Sequence, residues 1–296
     1  MFEGFSQFNI SVSEDVNIHG VKSGGGPPLL LLHGFPQTHH MWHLVAPELT
    51  TTFTVICTDL RGYGKSSKPT SSTSSNHEPF AKSTMARDCV AVMSHLGFEQ
   101  FAVLAHDRGA RAAHKLCVDF PERVRRVMLL DICPTLAMYE KTTREFATLY
   151  WHWFFLIQPS PFPEALILNN LEQFSGRFFG HSGYPGKLEH HPEALRAYLE
   201  QLRDKDSVHS MCEDYRAAAT VDLEEAREDR ARGRKIRCPV MVLWGKKGVV
   251  EKCFDTLAEW RAVSEGSVEG EAVDSGHYLA EEVPDVVLKN AREFFA

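Results

Sequence analysis

Short apolar runs bounded by turn residues alternate along the chain with longer stretches that repeat apolar positions at helical spacing. The expected strands are residues 29–32, 54–58, 101–105, 126–130, 239–244 and 267–273, each of a length that suits a strand better than a helix. The intervening helical stretches supply the crossovers that parallel strands require. This pattern predicts the α/β class, with a mostly parallel sheet flanked by helices. Residues 8–12 and 17–21 are expected to add an antiparallel edge.

Between Pro134 and Gly233 the strand signal stops, and helical patterns such as 192–203 and 223–232 take over until strand character resumes at Ile236. The expected organisation is a discontinuous core, 1–134 and 234–296, interrupted by a helical cap at 135–233. The Ser/Thr tract 70–76 reads as a surface loop, and the alternating charges of 224–235 as a solvated helix face.

Composition narrows the function classes. The 296 residues are 43% hydrophobic and 24% charged, which excludes a disordered chain. Lys and Arg number 32 against 39 acids, and no basic run is interleaved with aromatics, so nucleic acid is not an expected partner. Seven Cys with no C-x-x-C pair fit buried free thiols rather than a disulfide framework or a zinc site. The N-terminal MFEGFSQFNISVSED lacks a basic, apolar leader, and the longest apolar segments fall far short of the roughly 20 residues of a membrane span. A cytoplasmic location, with no membrane association, is the expectation.

The segment most informative about chemistry is Phe101-Ala-Val-Leu-Ala-His-Asp-Arg-Gly-Ala-Arg111. An apolar strand runs into His106-Asp107-Arg108-Gly109 and then a helix. The small Ala105 and Gly109 permit a sharp turn that lifts the Asp107 side chain over the sheet edge, at the positive end of the helix. Alone, Asp107 reads as a helix cap. Three further segments shift the balance. His33-Gly34-Phe35-Pro36 follows a strand, so that the Phe35 and Arg108 N–H groups together make an oxyanion hole. Asp274-Ser-Gly-His277 follows the last strand and supplies a base. Asp131 ends the strand RVMLLD and is assigned as the orienting acid, with Glu251 as its rival. Gly64-Lys65-Ser66 lacks the spacing of a phosphate loop, and His39, His40 and His43 lack a metalloprotease Glu, so these histidines read as surface or packing residues.

Taken together, HGFPQT at 33–38, HDRGAR at 106–111, DICPT at 131–135, HWFFLIQP at 152–159, MCEDYRA at 211–217 and SGH at 275–277 make the chain resemble the fluoroacetate (haloacetate) dehalogenases of the α/β-hydrolase fold. The resemblance covers nearly the whole chain. It implies that Asp107 is the nucleophile, that Arg108 and Arg111 hold a substrate carboxylate, and that His152, Trp153 and Tyr215 bind the departing halide. It implies no cofactor and no metal, a small haloacid as substrate, and a homodimer.

The residue types fit that chemistry. A saturated carbon bearing halogen offers no carbonyl to attack, whereas a carboxylate can displace halide and leave an ester that water hydrolyses. The rival enzyme is an epoxide hydrolase, with the same nucleophile, base and acid, and with Tyr215 and either Tyr150 or Tyr184 protonating the epoxide. A non-catalytic ligand receptor on this fold would lack the nucleophile or the base. Neither is missing.

Overall fold

The computed structural model describes residues 1–70, 76–179 and 190–296. Tyr184 and most of the Ser/Thr tract lie outside them. Eight strands form one sheet: β1 (Ser6–Ser13), β2 (Val16–Ser23), β3 (Pro28–Leu32), β4 (Thr54–Thr58), β5 (Phe101–His106), β6 (Val124–Leu130), β7 (Val240–Gly245) and β8 (Val268–Val273). Their order is β1-β2-β4-β3-β5-β6-β7-β8, with β1 and β2 antiparallel to their neighbours and the others parallel.

Leu29 to Leu32 show why the central strands need no polar positions. Leu30 and Leu32 pack on one face of the sheet with the Lys82–His95 and Asp107–Asp119 helices. Leu29 and Leu31 pack on the other with Trp42 and the C-terminal Pro284–Phe295 helix. A side-chain period of two, with both faces covered, requires apolar residues throughout. At the edge, β8 (VEGEAV) alternates instead.

The chain leaves β3 toward β4 and later returns on the other side as β5. The sheet therefore reverses direction of growth at β3, and the carboxyl ends of β3 and β5 open a crevice where such sheets place their ligands. Between β6 and β7 the described residues hold helices only, from Thr135–Glu140 to Val221–Ala231, including Trp151–Leu156, Pro192–Arg203 and Lys205–Ala219. Ile236 then forms an isolated bridge with Ser264.

Two expectations need correction. Cys238 and Cys253 are only partly buried, because each lies at the margin of a layer, whereas the other five thiols are buried. The charged stretch 224–235 is not wholly solvated: Asp229 is buried and pairs with Lys115 at 2.9 Å, which turns one side of that helix into a contact with the Asp107–Asp119 helix. His39 is a packing residue, buried with its ring 2.8 Å from Asp59.

Close packing between β3 and the helix after β5 depends on Gly109. A Cβ there would lie 2.3 Å from the His33 carbonyl oxygen and 2.7 Å from the Leu32 carbonyl carbon, both backbone atoms that cannot turn aside. Gly109→Ala is expected to destabilise the fold by about 1–3 kcal/mol, as overpacking does, measured as a lowered midpoint in urea unfolding.

Candidate active site

Asp107 begins its helix with φ of 45°, a left-handed conformation that costs a non-glycine residue about 1–3 kcal/mol and turns its side chain out of the sheet. Its carboxylate lies directly against Gly34, where a Cβ would stand 2.8 Å from Asp107 Oδ1. Because β3 and β5 are adjacent strands, the loop after β3 reaches this turn, and the Phe35 N–H donates to Oδ1 at 2.9 Å. The first N–H groups of the Asp107–Asp119 helix, Arg108 among them, have no intrahelical acceptor.

Asp131, at the end of the neighbouring β6, is also left-handed, with φ of 50°. Its Oδ1 accepts from the Gly245 N–H at 2.9 Å, and its Oδ2 accepts from His277 Nδ1 at 2.6 Å. That bond directs Nε2 of His277 toward Asp107, 4.0 Å from Oδ2. His106 Nε2 donates to the His277 carbonyl oxygen at 2.9 Å and fixes the loop that carries His277. Glu251 instead accepts from Trp244 Nε1 at 2.5 Å. The five residues Phe35, Asp107, Arg108, Asp131 and His277 thus come together from the ends of β3, β5, β6 and β8.

Burial opposes charge on Asp107, but His277, Arg111 and Arg108 outweigh it and hold its pKa at about 2. It is a carboxylate at neutral pH. Burial likewise opposes charge on His277, yet the Asp131 and Asp107 carboxylates raise its pKa above the ordinary value. His152 is driven down to about 3, chiefly by burial, and is a neutral ring.

Over this carboxylate the helical layer places Trp153 and Tyr215, both fully buried, together with His152. His152 stacks on Phe35 with ring centroids 6.0 Å apart, and Tyr215 meets Phe35 edge-on at 5.2 Å. The Arg108 guanidinium lies 4.2 Å from the Tyr215 ring centre, and Arg111 lies 4.5 Å from that of Trp153. His152 Nδ1, Trp153 Nε1, Tyr215 Oη, Arg108 Nη1 and Arg111 Nε have no hydrogen-bond partner among the described residues. Buried polar atoms are rarely left so unless a ligand or water completes them. The arrangement can support covalent hydrolysis: an ionised carboxylate, a backbone N–H at one of its oxygens, a carboxylate-oriented imidazole, and donors on the opposite side.

A family model described as alpha/beta hydrolase fold matches residues 27–284. The chain is 41% identical to a fluoroacetate dehalogenase from Burkholderia sp, an alignment that covers 100% of this chain and 95% of that one. The chain belongs to the haloacetate dehalogenase family of the α/β-hydrolase fold. It is a hydrolase. At greater distance it is 33% identical to a soluble epoxide hydrolase from Corynebacterium sp. (strain C12), over 94% of this chain and 93% of the relative. The solved structure of ALR0039 from Nostoc sp PCC 7120 has a TM-score of 0.94 and 47% identity, covering 100% of this chain and 99% of that one. No helix among the described residues is long and apolar enough to cross a membrane.

Asp214, Lys82, Tyr63 and His106, which the structure brings against these candidate residues, are not singled out by the motifs of the sequence. Asp214 sits inside MCEDYRA, beside Tyr215, but a lone acid on a helix reads as a surface residue. Its signal was a run of unlike charges, Glu213-Asp214-Tyr215-Arg216, on a helix with an otherwise buried face. An NMR titration is expected to place the His277 ring pKa above 6.5, and Asp131→Asn to lower it, because the variant removes the carboxylate that favours the charged ring. An unchanged value in Asp131→Asn would separate the pair.

Proposed function

We propose that this chain hydrolyses the carbon–halogen bond of fluoroacetate and other small 2-haloacids, releasing halide and a glycolate-type 2-hydroxy acid. The supporting observation is that the ionised, buried Asp107 carboxylate feels the charge of two guanidinium groups, while buried polar atoms of His152, Trp153 and Tyr215, rings that pack on one another and on Phe35, have no partner among the described residues. A short anion with a leaving group at its second carbon matches that distribution at both ends.

In the first step Oδ2 of Asp107 attacks the carbon bearing halogen, a carbon–oxygen bond forms, and the carbon–halogen electrons leave with the halide. Oδ1 already accepts from the Phe35 N–H, so Oδ2 is the freer oxygen, and Oδ1 becomes the ester carbonyl. Halide departs toward Trp153 Nε1, Tyr215 Oη and the His152 ring, while Arg111 and the remaining N–H of Arg108 hold the substrate carboxylate. In the second step water gives its proton to His277 Nε2 and attacks the ester carbon. The negative charge that develops on Oδ1 meets the N–H groups of Phe35 and Arg108. Collapse breaks the bond between the Asp107 carboxyl carbon and Oδ2. The imidazolium, stabilised by Asp131, gives its proton to the departing alkoxide oxygen, and Asp107, now carrying the water oxygen, loses the second water proton to solvent and is a carboxylate again. None of these steps calls on a cofactor.

The same reading takes residues 135–233 as a cap domain over the core of 1–134 and 234–296, and extends to a cytoplasmic enzyme. It also extends to a homodimer, for which Phe162 and Leu166, 55% and 43% exposed one helical turn apart, offer an apolar face.

The deciding assay is halide release from fluoroacetate and chloroacetate, run beside styrene oxide hydrolysis and a haloalkane. Release from the haloacids alone is expected, and hydrolysis of the epoxide in its place would overturn the proposal in favour of the rival enzyme. His277→Asn is expected to accumulate a carboxymethyl ester on Asp107, visible by intact-protein mass spectrometry. Continued turnover without an adduct would remove His277 from its role. Trp153→Phe and Tyr215→Phe keep ring volume while deleting one donor, a change that typically costs about 10²–10³ in rate where charge develops. Fluoride concentrates that charge more than chloride, so defluorination is expected to fall further than dechlorination. Parallel losses would make these rings packing residues only.

A further inference from the structure

Arg108 and Arg111 stand about one turn apart on the same helix, yet their surroundings differ in charge. Arg108 Nε donates to Asp214 Oδ2 at 2.9 Å, and Nη2 donates to Asp214 Oδ1 at 2.7 Å and to the Asp214 carbonyl oxygen at 2.8 Å. Asp214 is fully buried on the Lys205–Ala219 helix, and it also accepts from the Tyr63 hydroxyl at 2.7 Å and from Lys82 Nζ. Lys82 Nζ in turn stands 3.7 Å from Asp222 Oδ2. Two cations and two carboxylates therefore neutralise one another between the core and the helical layer.

Arg111 meets neutral acceptors instead. Its Nη1 donates to the Cys133 carbonyl at 3.2 Å and to Thr135 Oγ1 at 2.9 Å, and its Nη2 lies 3.4 Å from Met138 Sδ. The pKa directions follow the same division. Burial and the charge of Arg108 pull Arg111 below the usual guanidinium value, whereas Asp214 more than offsets burial for Arg108 and raises it.

This division matters because Arg108 is the chain neighbour of Asp107. The charges of Arg108 and Arg111 favour the ionised form of the Asp107 carboxylate, and this pairing of charges would grow if Arg108 had no carboxylate of its own. Such pairing stabilises the ground state of a nucleophile that must give up that charge on attack. With three of its N–H bonds directed to Asp214, Arg108 keeps only Nη1 unpartnered on the opposite branch of the fork.

We propose that Asp214 is a positioning residue that sets the charge of the substrate site. It neutralises Arg108 and leaves Arg111, whose hydrogen bonds go only to neutral acceptors, as the cation that a substrate carboxylate pairs with. The substrate part of this inference rests on the dehalogenase reading. The division of charge does not.

The test is calorimetric binding of acetate, a substrate-sized carboxylate without a leaving group, combined with haloacetate turnover. Asp214→Asn removes one buried negative charge. It is expected to bind acetate about 10-fold more tightly while turnover falls by about 10-fold or more, opposite signs that a merely structural lesion does not produce. Asp214→Glu restores the charge and is expected to bring acetate affinity back toward the original. Lys82→Met removes a cation that shares Asp214, and is expected to weaken acetate binding by about 3-fold or more, which keeps the test available should Asp214→Asn fail to fold. Unchanged or weaker acetate binding in folded Asp214→Asn, or unchanged or tighter binding in Lys82→Met, would overturn the proposal. If the unmodified protein releases no halide from haloacetates yet the acetate shifts take these signs, the dehalogenase reading fails and the role of Asp214 stands.

Discussion

The buried charge on Asp107 is the constraint to which the rest of this structure answers. Taking a carboxylate out of water costs several kcal/mol unless charges and hydrogen-bond donors compensate it. Here compensation comes from the Phe35 N–H and from the charges of His277, Arg111 and Arg108, and it is sufficient to keep the group ionised. Compensation has an upper limit as well, because a carboxylate held too well does not attack. The site meets both demands by dividing its cations: one guanidinium is neutralised by Asp214, and another hydrogen-bonds neutral acceptors only.

That division requires the sheet and the helical layer to be built together. Gly109 lets the helix after β5 approach the backbone at the end of β3, and Gly34 leaves room for the Asp107 side chain, which places the Phe35 N–H on Asp107. Asp214 and Tyr215 are consecutive on one helix. The contact that fixes Arg108 therefore also sets the position of the phenol ring above it, at 4.2 Å from the guanidinium. Charge balance and donor placement are two consequences of the same helix register.

Much of this was legible in the sequence, for physical reasons that also mark where legibility ends. The strands announced themselves because doubly covered strands such as 29–32 must be apolar throughout. The Asp107 turn was legible because a sharp strand-to-helix turn demands small residues on either side of its central position. Asp131 was expected at the end of RVMLLD with Glu251 as its rival, and only the geometry separates the two: His277 donates to Asp131 at 2.6 Å, and Glu251 accepts from Trp244. Asp214, Lys82 and Tyr63 were not legible. Their roles come from contacts between residues 63, 82, 108 and 214, and one sequence holds no local signature for a pairing across such separations.

The two left-handed aspartates make the same point about strain. Only four non-glycine residues among those described have positive φ, and two of them are Asp107 and Asp131. A glycine at either position would relieve the backbone but would remove the carboxylate, so relief and chemistry are incompatible there. Asp tolerates this conformation better than most residues because its short polar chain can bond locally. Each carboxylate here accepts an N–H from beside a neighbouring strand's carboxyl end, Phe35 just after β3 for Asp107 and Gly245 at the end of β7 for Asp131. The bonds that hold the strained turns are thus the bonds that aim the two carboxylates.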